Sequence, residues 1–254
     1  MAVEKVIGIA VLSGKGGVGK SVVALNLAIA LAGREAPVLL FDAGGGDQLN
    51  LTNQGPLRSD HAQGQLFPLA EGIDLYGSSI ADCYTILDEN DIERFLSEVA
   101  RAATSYRYVI FDCLSGAGPI TYTLAGLSEL ALIISTPDPT SIAGAYMLVK
   151  SLYLDGLTER CALVFNEVES ADEAASLKTR FDILTGQFLR RQFAAAGHIR
   201  RDQYLCDSVL EQRPLMLEKK DAVSRADLGN LADEVHRLSK FHFETRMAKN
   251  RPER

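Results

Sequence analysis

The sequence predicts an α/β fold, a doubly wound, mostly parallel sheet with helices on both faces. Three observations predict it. Short apolar, branched runs alternate along the whole chain with stretches of helical spacing. Such strand–helix alternation builds parallel sheets covered on both faces. Polar or glycine-rich residues follow the strands, in the loop at Ser13, at Asp42, at Asp112, in Thr136–Thr140 and at Asn166. Right-handed crossovers gather those residues on one sheet edge, where folds of this kind bind ligands.

The elements follow in order. Val6–Leu12 is a strand. Val22–Ala32 is apolar nearly all round and reads as a buried helix stopped by Gly33. Val38–Phe41 is a strand ending in Asp42, and Ile73–Tyr76 a short strand. Gln54, Gly55, Pro56, Gly64 and Pro68 mark the stretch between Asp47 and Gly72 as an irregular loop. Ile92, Phe95, Leu96, Val99, Ala100 and Ala103 share one helix face. Tyr108–Phe111 is a strand ending in Asp112, and Leu130–Ser135 another, followed by a helix over Ser141–Leu154. Pro137 and Pro139 hold the connection extended, which makes Thr140 a natural N-cap. Cys161–Phe165 is a strand ending in Asn166. A helix over Ala171–Gln192, a strand near Ala195–Ile199, and helices near Tyr204–Gln212 and Arg225–Phe243 complete the chain.

A chain of 254 residues with 47% apolar and 23% charged residues suits one globular domain and excludes intrinsic disorder. No apolar run is long enough for a transmembrane helix, and the N-terminus reads as a first strand, not a signal peptide. The net charge of −7 argues against dedicated nucleic-acid binding. Cys83, Cys113, Cys161 and Cys206 stand far apart with no CxxC, so zinc and iron–sulfur spacings are missing and reduced cytoplasmic thiols are expected.

Gly14–Ser21 reads GKGGVGKS, which fits the phosphate-loop pattern G-x-x-x-x-G-K-[ST] between a strand and a helix. The stretch Gly14, Lys15, Gly16, Gly17, Val18, Gly19, Lys20, Ser21 and Val22 is therefore expected to bind a nucleotide, ATP or ADP. Its glycines let backbone N–H groups converge on phosphate oxygens, and the helix N-terminus adds partial positive charge. Lys20 would contact the β- and γ-phosphates and the Ser21 hydroxyl would ligate Mg²⁺. Asp112 ends an apolar strand and precedes small residues, so its carboxylate can hold a water of that metal.

Lys15, a second lysine inside the form KGGVGK, resembles the deviant phosphate loop of the MinD/ParA class of ATPases. The resemblance implies a MinD-like nucleoside-triphosphatase fold and a homodimer sandwiching two ATPs, with Lys15 reaching the partner's nucleotide. Ile134–Ala145 (ISTPDPTSIAGA) with Tyr146 and Lys150 is similar to the T-P-E-P-T-S-I stretch of the FlhG/FleN flagellar-number regulators, Asp138 standing for Glu. Val164–Ser170 (VFNEVES) resembles that branch's V-x-N-R-V-x-S, and Val209–Pro214 (VLEQRP) its V-x-x-R-R-P. The resemblance implies an adenine contact for Asn166, whose amide offers both donors and an acceptor. It also implies a metal-side role for Asp42, as the first aspartate of D-x-D, and for Asp112 in D-x-x-[AS]-G. Catalytic roles are carried over to Lys15, Lys20, Asp42 and Asp112, and metal contact to Ser21, Asp42 and Asp112.

Two departures matter. The second aspartate of D-x-D, which orients the attacking water, is here Gly44, with Asp47 the nearest carboxylate. Slow ATP hydrolysis is expected, with a non-hydrolysing ATP-binding regulator as the alternative and a ParA-type partition ATPase as a further one. At Ile199–Asp202 (IRRD) the branch has I-P-x-D, so Arg200 replaces a rigid proline. The expected organisation is a nucleotide-binding domain over residues 1–238 and a basic C-terminal tail over 239–254. In the tail Val235, Leu238, Phe241 or His242, and Thr245 share a helical spacing. A solvated basic helix end is the expectation, with weak contact to an anionic membrane at the inner face of the plasma membrane as the alternative. Otherwise the protein is expected in the cytoplasm, acting through a protein partner.

Overall fold

The computed structural model describes residues 6–34, 36–43, 51–52, 66–77, 89–218 and 221–249. The strands are β1 (Ile7–Leu12), β2 (Val38–Asp42), β3 (Leu66–Ala70), β4 (Ile73–Gly77), β5 (Tyr108–Asp112), β6 (Leu130–Ser135), β7 (Cys161–Val168) and β8 (Ala194–Arg200). They form one sheet in the order β3-β4-β2-β5-β1-β6-β7-β8. All neighbours pair in parallel except β3 on β4. The described helices are α1 (Lys20–Ala32), α2 (Glu89–Ala103), α3 (Pro119–Leu127), α4 (Pro139–Leu154), α5 (Ala171–Leu189), α6 (Gln203–Leu210) and α7 (Val223–Lys249).

Both sheet faces are buried, because successive side chains on a strand point to opposite sides. Ile7, Ile9 and Val11 of β1 face a core with Val38 and Leu40, closed by α1 and by Leu228, Leu231 and Val235 of α7. Ala10 and Leu12 face the other core with Leu39, Phe41, Val109 and Phe111, closed by α2 to α5. The apolar girth of α1 follows from its position between sheet and α7. Its single central polar residue, Asn26, is satisfied in place. It donates to the Val22 carbonyl at 2.9 Å and accepts from the Met216 N–H at 3.0 Å.

Several sequence expectations shift. β3 was expected to be loop, yet Leu66–Ala70 pairs antiparallel with β4, and Pro68 is accommodated because the strand is an edge. The rest of that expected loop, including Gln54, Gly55, Pro56 and Gly64, lies outside the described residues, as do Gly44, Asp47 and Cys83. α3 was not anticipated. It opens on Gly118 in extended conformation with Pro119 in its first turn. α4 begins at Pro139, and its N-cap is Asp138 rather than Thr140. The Asp138 carboxylate accepts from the Thr140 N–H at 2.7 Å and the Ser141 N–H at 3.1 Å. Proline suits the first helical position, which moves the cap one residue before it. α7 runs from Val223 to Lys249 without a break near 238.

One close approach ties α4 to the glycine-rich loop. A Cβ built on Gly14 would lie 1.9 Å from the Gly144 carbonyl oxygen, and one on Gly144 would lie 3.0 Å from the Gly14 carbonyl group. Helix and loop therefore touch backbone to backbone. Gly144→Ala is expected to destabilise the protein by about 1–3 kcal/mol through overpacking. Gly229, inside α7, has open space where its Cβ would stand. Gly229→Ala is expected to stabilise by up to about 1 kcal/mol. Chemical denaturation of the two variants reads the opposite signs.

Candidate functional site

β1 lies between β5 and β6, the point where strand order reverses, and the loop Ser13–Gly19 leaves its C-terminal end there. Gly17 and Gly19 have φ of 75° and 78°, a left-handed conformation that glycine adopts without strain. Gly16 and Gly17 are exposed, with open space above their α-carbons. Gly19 is walled instead, since a Cβ there would meet Asn166 Nδ2 at 2.3 Å. The loop is braced below by the Gly116 N–H donating to the Ser13 carbonyl at 2.7 Å and by a Ser13–Ser115 hydroxyl contact at 3.2 Å.

Lys20 and Ser21 begin α1. Lys20 is buried, and its Nζ lies 2.6 Å from Asp112 Oδ1, whose side chain is fully buried. Both ions are out of bulk water, so each offsets part of the other's desolvation cost. Asp42 is buried at the end of β2 and stands opposite Asp112 in register across β2 and β5. Strand pairing thus aligns two carboxylates that lie 70 residues apart in sequence, beside the lysine of the loop. Cys113 follows directly, and burial holds its thiol protonated, with its pKa raised far above the ordinary thiol range.

The second lysine, Lys15, is exposed. Its Nζ lies 2.5 Å from Thr140 Oγ1 and 3.4 Å from Asp138 Oδ1 of the same chain. Asp138 therefore caps α4 and holds Lys15 at once. Hydrogen bonds from Thr140 and Ser141, with help from Lys15, lower its pKa to about 2. Ser141 turns inward, its hydroxyl 2.9 Å from the Thr136 N–H and 3.1 Å from Ser135 Oγ.

Asn166 closes the far side. Its Nδ2 donates to the Val18 carbonyl at 2.9 Å, and its buried Oδ1 has no hydrogen-bond partner among the described residues. The next residue, Glu167, has φ of 59°, and the β7–β8 register shifts between Asn166 and Val168. This bulge aims the amide at the loop. An unpaired buried acceptor, open glycines and a loop cradle suit a nucleotide's base and phosphates. Asn166, Lys20, Ser21, Asp42 and Asp112 thus gather as the strand-end reading predicts. Lys15 lies at the same edge, turned toward α4.

The sequence reading missed the hold of Asn166 on the loop and the Gly14–Gly144 contact. It also missed the fastening of the C-terminal helix, where Arg246 pairs with buried Glu129, which accepts the Gly8 N–H at 2.7 Å. Phe243 packs against the core and Val235 and Leu238 are buried, so only Phe241 of the expected tail stripe presents a large apolar side chain outward. The described part of the expected basic tail is fastened through Arg246, and residues 250–254 lie outside the described residues. Among the described residues no helix is long and apolar enough to cross a membrane, and no cluster of metal-ligand type is present. Lys20→Ala would take a cation away from the buried Asp112 carboxylate. It is expected to cost the ligand-free protein about 3–5 kcal/mol, as measured by denaturant unfolding.

Comparison with known proteins agrees with this geometry. The chain is 28% identical to the antiactivator FleN of Pseudomonas aeruginosa over 81% of its length and 77% of that protein's. It is 30% identical to the flagellum site-determining protein YlxH of Helicobacter pylori over 56% of its length, spanning about half (52%) of that relative. Its fold superposes on the septum site-determining protein MinD of Pyrococcus horikoshii, complexed with Mg-ADP, with a TM-score of 0.68. The match has 18% identity and covers 94% of this chain and 99% of that one. Residues 9–215 match the CobQ/CobB/MinD/ParA nucleotide binding domain. A switch-point glycine loop, its buried lysine–aspartate pair and that match place this chain in the CobQ/CobB/MinD/ParA family of nucleotide-binding proteins.

Proposed function

We propose that the protein is an Mg-ATP-dependent switch, a slow ATPase that dimerises around ATP to regulate the placement or number of a cellular structure such as flagella. The observation that carries the reading is the convergence of Lys20 and Asp112 at the switch point, beneath exposed glycines and beside Ser21 and Asp42. When bound, Mg-ATP supplies the γ-phosphoryl group and a metal that offsets its charge. Lys20 would hold phosphate oxygens, Ser21 and the two aspartates would serve the metal side, and the orphaned Asn166 acceptor would face the base. Similarity to FleN, named an antiactivator, and to YlxH, named a flagellum site-determining protein, supports the branch.

Lys15 supports dimerisation through its chemistry. It is a mobile cation on an exposed loop, held only by groups that can release it into solvent or to another anion. Surface pairs of this kind contribute little to stability, so exchange toward a partner's phosphates is inexpensive. Output would be a state-dependent surface for a protein partner, because a γ-phosphate can favour one arrangement of nearby loops. The cytoplasm is the expected setting. Exposed Lys240 and Phe241 at the docked helix end would add weak contact with an anionic membrane at its inner face. A specific feature favours a second reading, a non-hydrolysing ATP-binding regulator. Residue 44 is glycine and supplies no carboxylate to a water. The net charge of −7 disfavours a DNA-partition role.

Mg-ATP at a hundredfold excess over its Kd is expected to stabilise the protein by about 2.7 kcal/mol. Lys20→Ala and Ser21→Ala should remove that thermal shift, and an unchanged shift in both would overturn the site. Light scattering should give a monomer with ADP and a dimer with ATP, Lys15→Ala remaining monomeric. Gly44→Asp is expected to raise the single-turnover hydrolysis rate by at least about tenfold, a fraction of what an oriented nucleophile contributes. A fast wild-type ATPase abolished by Asp47→Ala would show instead that Asp47 orients the water.

A further inference from the structure

The wall beside Asn166 is held by an unusual set of contacts at the end of β8. Arg200 forks onto Asp227 of α7, with Nε 2.9 Å from Oδ2 and Nη2 2.8 Å from Oδ1. The Arg200 N–H also donates to Asp227 Oδ2 at 3.0 Å. Asp227 is buried, while the Arg200 side chain is 36% exposed. Two residues on, Asp202 joins two helices. Its Oδ1 accepts the Tyr204 N–H at 2.9 Å, capping α6, and its Oδ2 accepts the Ser224 N–H at 3.0 Å and hydroxyl at 2.9 Å in α7. Burial alone would raise the pKa of Asp227, but the bonds from Arg200 outweigh it and hold the carboxyl below its ordinary range.

These contacts run without a gap to the nucleotide loop. Arg200 pairs in register with Val168, and the Arg201 N–H donates to the Val168 carbonyl at 2.8 Å, just beyond the bulge at Glu167. The bulge aims Asn166, and Asn166 grips Val18. A left-handed glutamate beside a register shift is a soft point in a sheet, since the extra residue has no ladder partner. Something must fix the strand end that opposes it. A bidentate guanidinium–carboxylate fork sets orientation as well as distance, which a single hydrogen bond does not.

We infer that Arg200 and Asp227 are positioning residues for the base side of the site: their fork locks the end of β8, and through the Glu167 bulge it sets the Asn166 amide that discriminates purines. The inference rests on the nucleotide-binding reading above and deepens it. The phosphate side has its own anchors, in Gly14 against Gly144 and Lys20 against Asp112. Breaking the fork therefore loosens base recognition while phosphate recognition persists. A purely structural ion pair would weaken every ligand alike.

The test compares Mg-ATP, Mg-GTP and Mg-tripolyphosphate binding by calorimetry in the full chain, for wild type, Arg200→Ala, Asp227→Asn and the double variant. The fork predicts at least about a tenfold loss of ATP affinity and a smaller ATP-over-GTP preference in each single variant, since a displacement of about 1 Å at a recognition group can cost up to a hundredfold. Tripolyphosphate affinity should stay within about twofold of wild type, and the double variant should lose no more than the worse single, as coupled residues do. Unchanged ATP affinity and preference, an equal loss for tripolyphosphate, or additive losses would each overturn the inference. If Arg200→Ala does not fold, Asp227→Asn, which keeps the volume and breaks the charged fork, gives the same readout. Wild-type protein that binds none of the three ligands would overturn the functional reading itself.

Discussion

A buried lysine–aspartate pair at the end of a largely apolar sheet constrains much of this molecule. Lys20 and Asp112, 2.6 Å apart, offset part of the cost of burying each other's charge. That pairing fixes β1 beside β5, fixes the entry of α1 over the sheet edge, and fixes the glycine loop between them. Lys20 opens a helix with ten buried residues, so its backbone is held by the packing of that helix. The loop's glycines follow from the same constraint. The chain must turn from strand to helix within a few residues while keeping its amides on the open side, and Gly17 and Gly19 do so in left-handed conformation.

Around that pair the site is braced from three independent directions. From one side α4 presses Gly144 onto Gly14, with Asp138 and Thr140 reaching Lys15. From below, the turn after β5 bonds Ser13 through Gly116 and Ser115. From the far side, Asn166 grips Val18 from a bulged strand fastened to α7 by Arg200, Asp202, Ser224 and Asp227. The start and the end of the glycine loop thus rest on different supports, Gly14 on α4 and Val18 on Asn166.

The C-terminal helix has a structural duty that its composition hides. Read as a tail, its last turns are basic and thinly apolar. In the fold, α7 covers one face of the sheet, with Leu228, Leu231 and Val235 in the core, and its end is clipped by Arg246 to a buried glutamate that also bonds the start of β1. Arg34, just past the end of α1, reaches Asp233 of α7 at 2.5 Å. The helix that closes the core therefore also fastens the end of β8 and the turn after it, through Asp227 and Ser224.

The sequence by itself determined the fold class, nearly all strands and helices, and the residues at the strand ends. The reason is local. Buried parallel strands need apolar runs, covering helices need helical periodicity, and a phosphate loop needs its glycines, lysine and serine at fixed spacing. Tertiary structure alone decided the partners. Asp138 reaches Lys15 across 123 residues of sequence, although its capping of α4 beside Pro139 is local. The strand at Leu66–Ala70 exists because β4 offers it an edge, against the advice of Pro68. Arg200 reads in sequence as the loss of a rigid proline, yet the carboxylate 27 residues later restores rigidity by another route. Such pairings depend on which distant side chain the packing brings within reach, and no local pattern encodes that distance.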